Sequence, residues 1–333
     1  MRIDELQTPA LVVEQAALRR NLDRMTAALP GSRLRPHVKA HKCTSLARLQ
    51  YENGHRGFTC ATIREVEVMA GEGLGEDLLL ANEVLDARRL GRVVEAGHRV
   101  TVAVDSPQTV HAAAAGGVRE VVVDVNVGLP RCGCPPEEAG RIADLARREG
   151  LSVRGVMGYE GHLMLVQPET DRRAQTRQAM ELLVNAAADV GGELVSAGGT
   201  GTYDLNIWAN EIQAGSYALL DTAYGELGQS FEQALFVRGR VISSSTEWAV
   251  VDVGLKSLSL DHGLPRIDGH EIWFCSDEHT TFQAADGRLP EIGSTLQVAP
   301  SHVDPTVALH DRIYVVDGDQ VIDEWAVDMR GWR

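Results

Sequence analysis

"EVVVDVNV" (residues 120–127) is followed by a helical pattern, "EEAGRIADLARREG" (137–150), and by a second apolar run, "LSVRGVMGY" (151–159). The two apolar runs predict buried strands. The segment between them has apolar residues at helical spacing and ends at Gly150, which favours a helix with a glycine C-cap. A strand, a helix and a strand in this order predict a βαβ unit with parallel strands.

The same unit recurs along the first two thirds of the chain. Eight stretches predict strands: "LRPHVKA" (34–40), "GFTCAT" (57–62), "DLLLAN" (77–82), "RVTVAVD" (99–105), "EVVVDVNV" (120–127), "LSVRGVMGY" (151–159), "ELVSAGGT" (193–200) and "EIQAGSY" (211–217). Eight βα units predict an α/β fold built on a closed (β/α)₈ barrel of the TIM type. A doubly wound open sheet is the alternative, because one short run can be miscounted.

From about residue 235 the pattern changes to short strand-like runs without long amphipathic helices. They are "LFVRGRVISSS" (235–245), "EWAVVDVG" (247–254), "EIWFCSDEHTTF" (271–282), "STLQVAP" (294–300) and "RIYVVDGDQVIDEWAV" (312–327). The chain therefore divides into a barrel over residues 1–230 and a mostly antiparallel β domain over 231–333. The extended "TPALVV" (8–13) precedes the first helix and could pair with either domain.

The composition limits the kinds of molecule that the protein is expected to bind. The formal charge is 32 − 47 = −15, which disfavours nucleic acid and anionic membranes. The chain has no apolar run of about 20 residues and no signal-peptide pattern at its start, so we expect a cytoplasmic location. Five scattered cysteines are typical of reduced thiols rather than of a disulfide framework.

A candidate nucleophile lies in "LRPHVKAHK" (34–42), which alternates apolar and basic residues. On a barrel strand the apolar side would face the helices, so Lys39 would point inward near the carboxyl end and Lys42 away. Burial and neighbouring cations make a lysine amine more nucleophilic towards an aldehyde. A salt-bridged lysine at the barrel mouth is the alternative.

Three further side chains follow predicted strand ends. Arg131 lies in "VNVGLPRCG" (125–133), where glycines permit a tight turn that could fix a guanidinium against an anionic oxygen. Tyr159 and His162 lie in "GYEGHLM" (158–164) and could donate to a bound ring, stack on it or carry a proton. A solvated arginine and a buried structural histidine are the alternatives.

Two glycine-rich loops on successive strands predict a phosphate site. "SAGGTGTYD" (196–204) presents consecutive N–H groups with Ser196, Thr200 and Thr202 as further donors, and "QAGSY" (213–217) ends the next strand. Late strand ends of a barrel commonly bind phosphate. Each loop alone would be a plain turn.

A candidate metal pair lies in the β domain. "PSHVDPT" (300–306) places His302 and Asp304 on one face if the backbone is extended, as Pro305 favours for the residue before it. One nitrogen and one carboxylate oxygen leave positions for water or substrate, as a catalytic metal requires.

Together these features resemble the fold-type III pyridoxal-phosphate enzymes, the alanine racemase-like group, and within it the D-threonine aldolase and D-serine dehydratase family. The resemblance covers nearly the whole chain. It rests on "RPHVKAHK", "VNVGLPRCG", "GGTGTYD", "EIQAGSY", "SLDHG", "SDEH" and "HVDPTVALHD", in that order.

The resemblance implies roles for single residues. It makes Lys39 the covalent anchor of pyridoxal 5′-phosphate (PLP), Arg131 the partner of its phenolate oxygen and His162 a neighbour of its ring. The remaining cofactor positions are Ser196, Gly199, Thr200, Gly215 and Ser216 at the phosphate, with Gln213 opposite the pyridine nitrogen. His302 and Asp304 match the metal pair, and an aspartate at the second position is typical of the aldolases where the dehydratases have cysteine.

The implied function is a PLP- and divalent-metal-dependent aldolase that cleaves D-3-hydroxy amino acids of the D-threonine or D-3-hydroxyaspartate type. An oxygen-rich ligand set favours Mn²⁺ or Mg²⁺, with Zn²⁺ also possible. A homodimer is expected from the resemblance. The alternatives are a D-serine or 3-hydroxy-D-aspartate dehydratase, an amino-acid racemase and a non-catalytic PLP-binding protein.

Overall fold

Short strands and helices alternate over most of the chain in the computed structural model, which describes residues 1–332. The strands are β1 (Ala10–Glu14), β2 (Gly57–Cys60), β3 (Asp77–Leu80), β4 (Val100–Val104), β5 (Glu120–Asp124), β6 (Ser152–Gly158), β7 (Leu194–Ala197), β8 (Glu211–Ile212), β9 (Leu235–Ser244), β10 (Ala249–Val251), β11 (His270–Cys275), β12 (Thr280–Ala284), β13 (Thr295–Val298), β14 (Arg312–Asp317) and β15 (Gln320–Ala326). The α-helices are α1 (Gln15–Ala28), α2 (Thr44–Glu52), α3 (Ile63–Gly71), α4 (Arg88–Glu95), α5 (Pro107–Ala115), α6 (Ala139–Arg148), α7 (Glu169–Val190), α8 (Thr222–Gly225) and α9 (Val303–Ala308). Short 3-10 helices are Ile3–Glu5, Gly31–Arg33, Val38–Ala40, Pro136–Glu138, Gly161–Leu163 and Ser216–Ala218.

Strands β2 to β8 form one parallel sheet in which each strand pairs with the next along the chain. β4 is buried at every position, as expected of a parallel strand that is covered on both faces. These strands coincide with seven of the eight predicted runs, and the barrel class is confirmed.

The first predicted strand, 34–40, is wrong as a strand. Leu34 and His37 form isolated parallel bridges to Ile212 of β8 and Thr59 of β2, so this segment joins both edges of the sheet without forming a continuous strand. Residues Val38–Ala40 then form a 3-10 helix. The alternation that assigned Lys39 to one side therefore does not extend past His37, because a 3-10 turn does not alternate side chains as a strand does.

Arg35 anchors this segment through two ion pairs. Its buried guanidinium pairs with Asp77, the first residue of β3, at 2.9 Å and with Glu211, the first residue of β8, at 2.8 Å. Burial alone would raise the pKa of Asp77, but hydrogen bonds and charges from Arg154 and Arg35 lower it to about 2. Arg35 therefore pairs with carboxylates at the amino-terminal ends of the strands, whereas Lys39 was predicted near the carboxyl end.

The second sheet has the order β11-β12-β10-β9-β1-β14-β15, with β13 also paired to β9. Its pairs are antiparallel apart from β1 with β14. The amino-terminal strand β1 therefore belongs to this sheet. The sheet confirms the predicted mostly antiparallel β part of the fold.

The chain forms two compact units. The first consists of residues 1–24, 40–45 and 216–328 and contains the mixed sheet. The second consists of residues 25–39, 46–215 and 329–332 and contains the parallel sheet. The domain boundary predicted near residue 230 stays a prediction. Among residues 1–332 no helix is long and apolar enough to cross a bilayer.

Candidate functional site

Lys39, Arg131 and Tyr159 come together in the parallel unit. The Nζ atom of half-buried Lys39 lies 5.8 Å from the centroid of the Tyr159 ring. The guanidinium carbon of Arg131 lies 5.4 Å from the same centroid. An amine and a guanidinium from two separate segments therefore lie near one phenol ring, and the roles of these residues at a cofactor stay predictions.

His162 lies against the arginine loop. Gly128 has φ +122°, and a Cβ atom on it would lie 3.0 Å from Cε1 and Nε2 of His162. Glycine at 128 therefore permits both the turn and the approach of the ring. His162 is exposed, which leaves its ring accessible to a ligand.

The loop 198–206 packs tightly against the segment that follows β6. A Cβ atom on Gly199 would lie 2.7 Å from Sδ of Met164, and one on Gly201 would lie 2.0 Å from the carbonyl oxygen of Met164. Backbone packing therefore requires glycine at 201, whereas the contact at Gly199 is with a flexible side chain. Thr200 between them is buried, and its role at a phosphate stays a prediction.

Glu160 ties this loop to the Tyr159 segment, and sequence reasoning missed it. Its fully buried carboxylate accepts hydrogen bonds from Gly198 N at 3.0 Å, Thr202 Oγ1 at 2.9 Å and Asn206 Nδ2 at 3.1 Å. Burial raises the pKa of Glu160, and these hydrogen bonds partly offset the rise. One carboxylate therefore fixes three points of the glycine loop.

Ser196 and Gln213 are hydrogen-bonded to each other inside the parallel unit. Gln213 Nε2 donates to Ser196 Oγ at 2.9 Å, and the Ser196 hydroxyl donates to Glu211 at 2.7 Å. Ser196 lies within β7 and not in the loop, because the strand extends to Ala197. Its hydroxyl hydrogen is engaged by Glu211, so its assignment to a phosphate stays a prediction, as does that of Gln213 to a pyridine nitrogen.

His302 and Asp304 lie together in the other unit. His302 Nε2 and Asp304 Oδ1 are 4.0 Å apart. The expectation of an extended backbone is wrong at Asp304: His302 is extended and precedes α9, whereas Asp304 and Pro305 lie in the first turn of that helix. Proline is tolerated in a first helical turn because the N–H it lacks has no partner there.

Asp221 and Ser216 hold the start of α9. The buried carboxylate of Asp221 accepts from Val303 N at 3.0 Å and from Tyr224 N at 3.0 Å, and burial raises its pKa to about 6. The Ser216 hydroxyl donates to Asp304 Oδ1 at 3.2 Å. Asp221 was not predicted, and Ser216, predicted at a phosphate, is bonded to a predicted metal ligand. Gly215 precedes Ser216 directly, and its role stays a prediction.

Two unpredicted side chains lie beside His302. The potential ligand atoms of Asp261, His262 and His302 all lie within 4.8 Å of one another. The His262 ring stacks on the His302 ring, with centroids 3.9 Å apart and an interplanar angle of 7°. Burial lowers the pKa of His262, and the charge of His302 adds to the effect. The site therefore combines imidazole and carboxylate donors.

The fold and these residues define the class of the protein. Residues 13–222 match the family described as "Alanine racemase, N-terminal domain", and residues 234–316 match the "Putative serine dehydratase domain". The chain belongs to the alanine racemase-like family of PLP enzymes, and within it to the D-threonine aldolase and D-serine dehydratase group, as its sequence motifs predicted.

Individual relatives match over nearly their whole length. The chain is 33% identical to 3-hydroxy-D-aspartate aldolase of Paracoccus denitrificans (strain Pd 1222), over 98% of this chain and 93% of the relative. The crystal structure of D-threonine aldolase from Filomicrobium marinum superposes with a TM-score of 0.93 at 32% identity, covering 99% of this chain and 98% of that one. D-threo-3-hydroxyaspartate dehydratase of Delftia sp. (strain HT23) is 27% identical over 98% of both chains.

Proposed function

We propose that the protein is a PLP- and divalent-cation-dependent aldolase that cleaves D-3-hydroxy amino acids to glycine and an aldehyde. The observation that carries the choice of reaction is the carboxylate of Asp304 facing His302, at the position where the resemblance gives cysteine in dehydratases. Carbon–carbon cleavage of such an amino acid is also the reaction named for the two more similar relatives.

The parallel unit has the donor set that PLP needs. Lys39 would hold the cofactor covalently through Nζ, with Tyr159 and the Arg131 guanidinium beside it. The loop around Gly199, fixed by Glu160, would bind the phosphate through its N–H groups. When bound, PLP supplies an electron sink that stabilises negative charge at Cα of an amino acid.

His302 and Asp304 have a separation that one cation can span. Two donors that each lie about 2.1 Å from one ion can be at most about 4.2 Å apart, and theirs is 4.0 Å. We assign Mn²⁺ or Mg²⁺ to this pair, with Zn²⁺ as a further candidate, because a carboxylate suits hard cations and imidazole suits several metals. The cation would act as a Lewis acid on the substrate β-hydroxyl.

His162 is assigned as the base that takes the hydroxyl proton, because its ring is exposed and lies against the arginine loop. Loss of this proton allows the Cα–Cβ bond to break, with its electron pair left at Cα and an aldehyde released. A proton returned to Cα completes glycine.

Product identification tests the proposal. Holoprotein incubated with D-threonine or D-3-hydroxyaspartate and Mn²⁺ is expected to release glycine and an aldehyde, and a chelator should suppress the release. L-threonine is the matched control and should give no glycine. Ammonia with a 2-oxo acid in place of glycine would contradict the aldolase assignment.

A dehydratase acting on the same substrates is the second candidate. It is favoured by the full-length similarity to D-threo-3-hydroxyaspartate dehydratase. Water elimination breaks Cβ–O and leaves the carbon skeleton intact, so the same product assay separates the two reactions. The expected homodimer and the cytoplasmic location stay predictions.

Glu160→Ala is expected to weaken PLP binding and to destabilise the protein. Three buried donors would lose their acceptor, and each unsatisfied group costs about 1–3 kcal/mol. A loosened glycine loop should raise the PLP dissociation constant at least about tenfold, equal to about 1.4 kcal/mol. Urea unfolding and a PLP titration of the apoprotein measure the two effects.

Glu181→Ala is the matched control, because Glu181 is an exposed glutamate on α7 that pairs with Arg177. We expect it to change neither quantity. Equal PLP affinity of Glu160→Ala and wild type would show that the loop keeps its shape without the carboxylate.

A further inference from the structure

The motif "SLDHG" (259–263) contributes to the family resemblance but has no role in the proposed reaction. In the structure its carboxylate lies beside His302, with Asp261 Oδ2 2.7 Å from His302 Nδ1. The other carboxylate oxygen, Oδ1, accepts a hydrogen bond from the Ser259 hydroxyl. Asp261 is half exposed, yet both of its oxygens are engaged, so its orientation is defined.

The hydrogen bond decides which nitrogen of His302 can bind a cation. An ionised carboxylate only accepts hydrogen bonds, so Nδ1 must carry the hydrogen. The neutral ring then has its lone pair on Nε2. Nε2 is the atom that faces Asp304 Oδ1 at 4.0 Å.

We infer that Asp261 is a positioning residue of the proposed metal centre, which holds His302 with Nε2 directed to the cation. The inference rests on the proposed function for the presence of the cation. Metal-binding histidines commonly donate their second N–H to a carboxylate, and removal of that partner costs about 10–100-fold in affinity.

The distance argues against a cation between Asp261 and Nδ1 of His302. Two donors at right angles, each about 2.1 Å from one ion, lie about 3.0 Å apart. The 2.7 Å between Oδ2 and Nδ1 is shorter than this separation and is an ordinary length for a charge-assisted hydrogen bond. An ion shared by Oδ2 and Nδ1 is therefore disfavoured, and this contact is assigned to a hydrogen bond that orients the ring.

The motif is itself hydrogen-bonded to the segment that carries His302. Ser301 Oγ donates to the carbonyl oxygen of Gly263 at 2.7 Å, and the backbone N–H of Ser259 donates to Thr306 Oγ1 at 3.1 Å. The His262 ring covers one face of His302. These hydrogen bonds on both sides of His302, together with the stacked His262 ring, fix the Asp261 carboxylate relative to the His302 imidazole.

The test measures Mn²⁺ binding by electron paramagnetic resonance of free Mn²⁺, with PLP-loaded, chelator-treated protein and no substrate. Asp261→Ala is expected to raise the Mn²⁺ dissociation constant about 10–100-fold at unchanged stoichiometry. Asp261→Asn keeps an acceptor for Nδ1–H and should lose less affinity. Asp268→Ala removes another exposed aspartate, paired with Arg266, and should bind as wild type does. The unfolding midpoint of the metal-free variants checks that each one folds.

The results for the variants test the inference, and the result for wild type tests the proposed metal dependence. Equal affinity of Asp261→Ala and wild type would overturn the positioning role alone. A loss of more than about 100-fold, as expected for Asp304→Ala, would make Asp261 a ligand and also overturn the positioning role. If Asp261→Ala and Asp261→Asn lost Mn²⁺ affinity equally, the effect would come from the charge of Asp261 and not from its hydrogen bond to Nδ1. This result too would overturn the positioning role. If wild type bound no Mn²⁺, the proposed metal dependence and the inference would fail together.

Discussion

Lys39→Ala is expected to lose covalently bound PLP and to lose aldolase activity by at least about 10³-fold, the scale on which removal of a covalent catalytic group acts. Its amine lies 5.8 Å from the centroid of the Tyr159 ring, and the guanidinium carbon of Arg131 lies 5.4 Å from the same centroid. The visible absorbance of the bound cofactor and mass spectrometry after borohydride reduction measure the covalent link. Glycine release measures the activity.

Lys42→Ala is the matched control for this experiment. Lys42 follows three residues later, has φ +46° and is half-buried like Lys39. We expect it to keep the absorbance and a borohydride adduct on the peptide that contains Lys39. An adduct on Lys42 instead would make the alignment of "RPHVKAHK" with its family wrong.

Replacing either proposed metal ligand is expected to have the second largest effect. His302→Ala and Asp304→Ala should weaken Mn²⁺ binding by more than about 100-fold, above the range typical of a side chain that only orients a ligand. Both should keep the PLP absorbance, because Lys39 and the residues around Tyr159 are unchanged. Calorimetric Mn²⁺ titration and glycine release at saturating PLP measure the effects.

Asp304→Cys refines this prediction. A thiolate is a soft ligand, so the variant should still bind a divalent cation but shift its preference from Mn²⁺ towards Zn²⁺. Serine at the same position lacks the ionised oxygen and should bind both weakly. Unchanged Mn²⁺ affinity in Asp304→Ala and His302→Ala would show that these two residues do not bind the cation. A metal-assisted reaction at this pair would then lose its support.

At Lys39 the sequence and the structure agree on the place of the segment in the ring and differ on its conformation. The segment that precedes it bridges β8 at Leu34 and β2 at His37, as expected of the first of eight βα units in a ring. The strand parity used to orient it was wrong, because Val38–Ala40 form a 3-10 turn. A single turn of three residues is too short to leave a periodic pattern in the sequence.

Asp304 shows the same limit in the β part of the chain. The residue type and its spacing from His302 predicted a shared site, and their donors do face each other. The extended backbone expected from Pro305 was replaced by the start of α9, because Asp221 accepts the N–H of Val303 and fixes the turn. That partner lies 82 residues earlier in the chain.

The sequence by itself determined the barrel strands β2 to β8, the mostly antiparallel sheet and the family, because hydrophobic periodicity and motif order are local properties of the chain. Only the tertiary structure decided which carboxylates organise the candidate site. Glu160 and Thr202 are 42 residues apart, and Asp261 and His302 are 41 residues apart. Each pair forms because folding brings distant loops together, and in isolation an acidic residue in a loop is indistinguishable from a solvated charge. Burial and donated hydrogen bonds, which give such a residue its role, exist only in the folded chain.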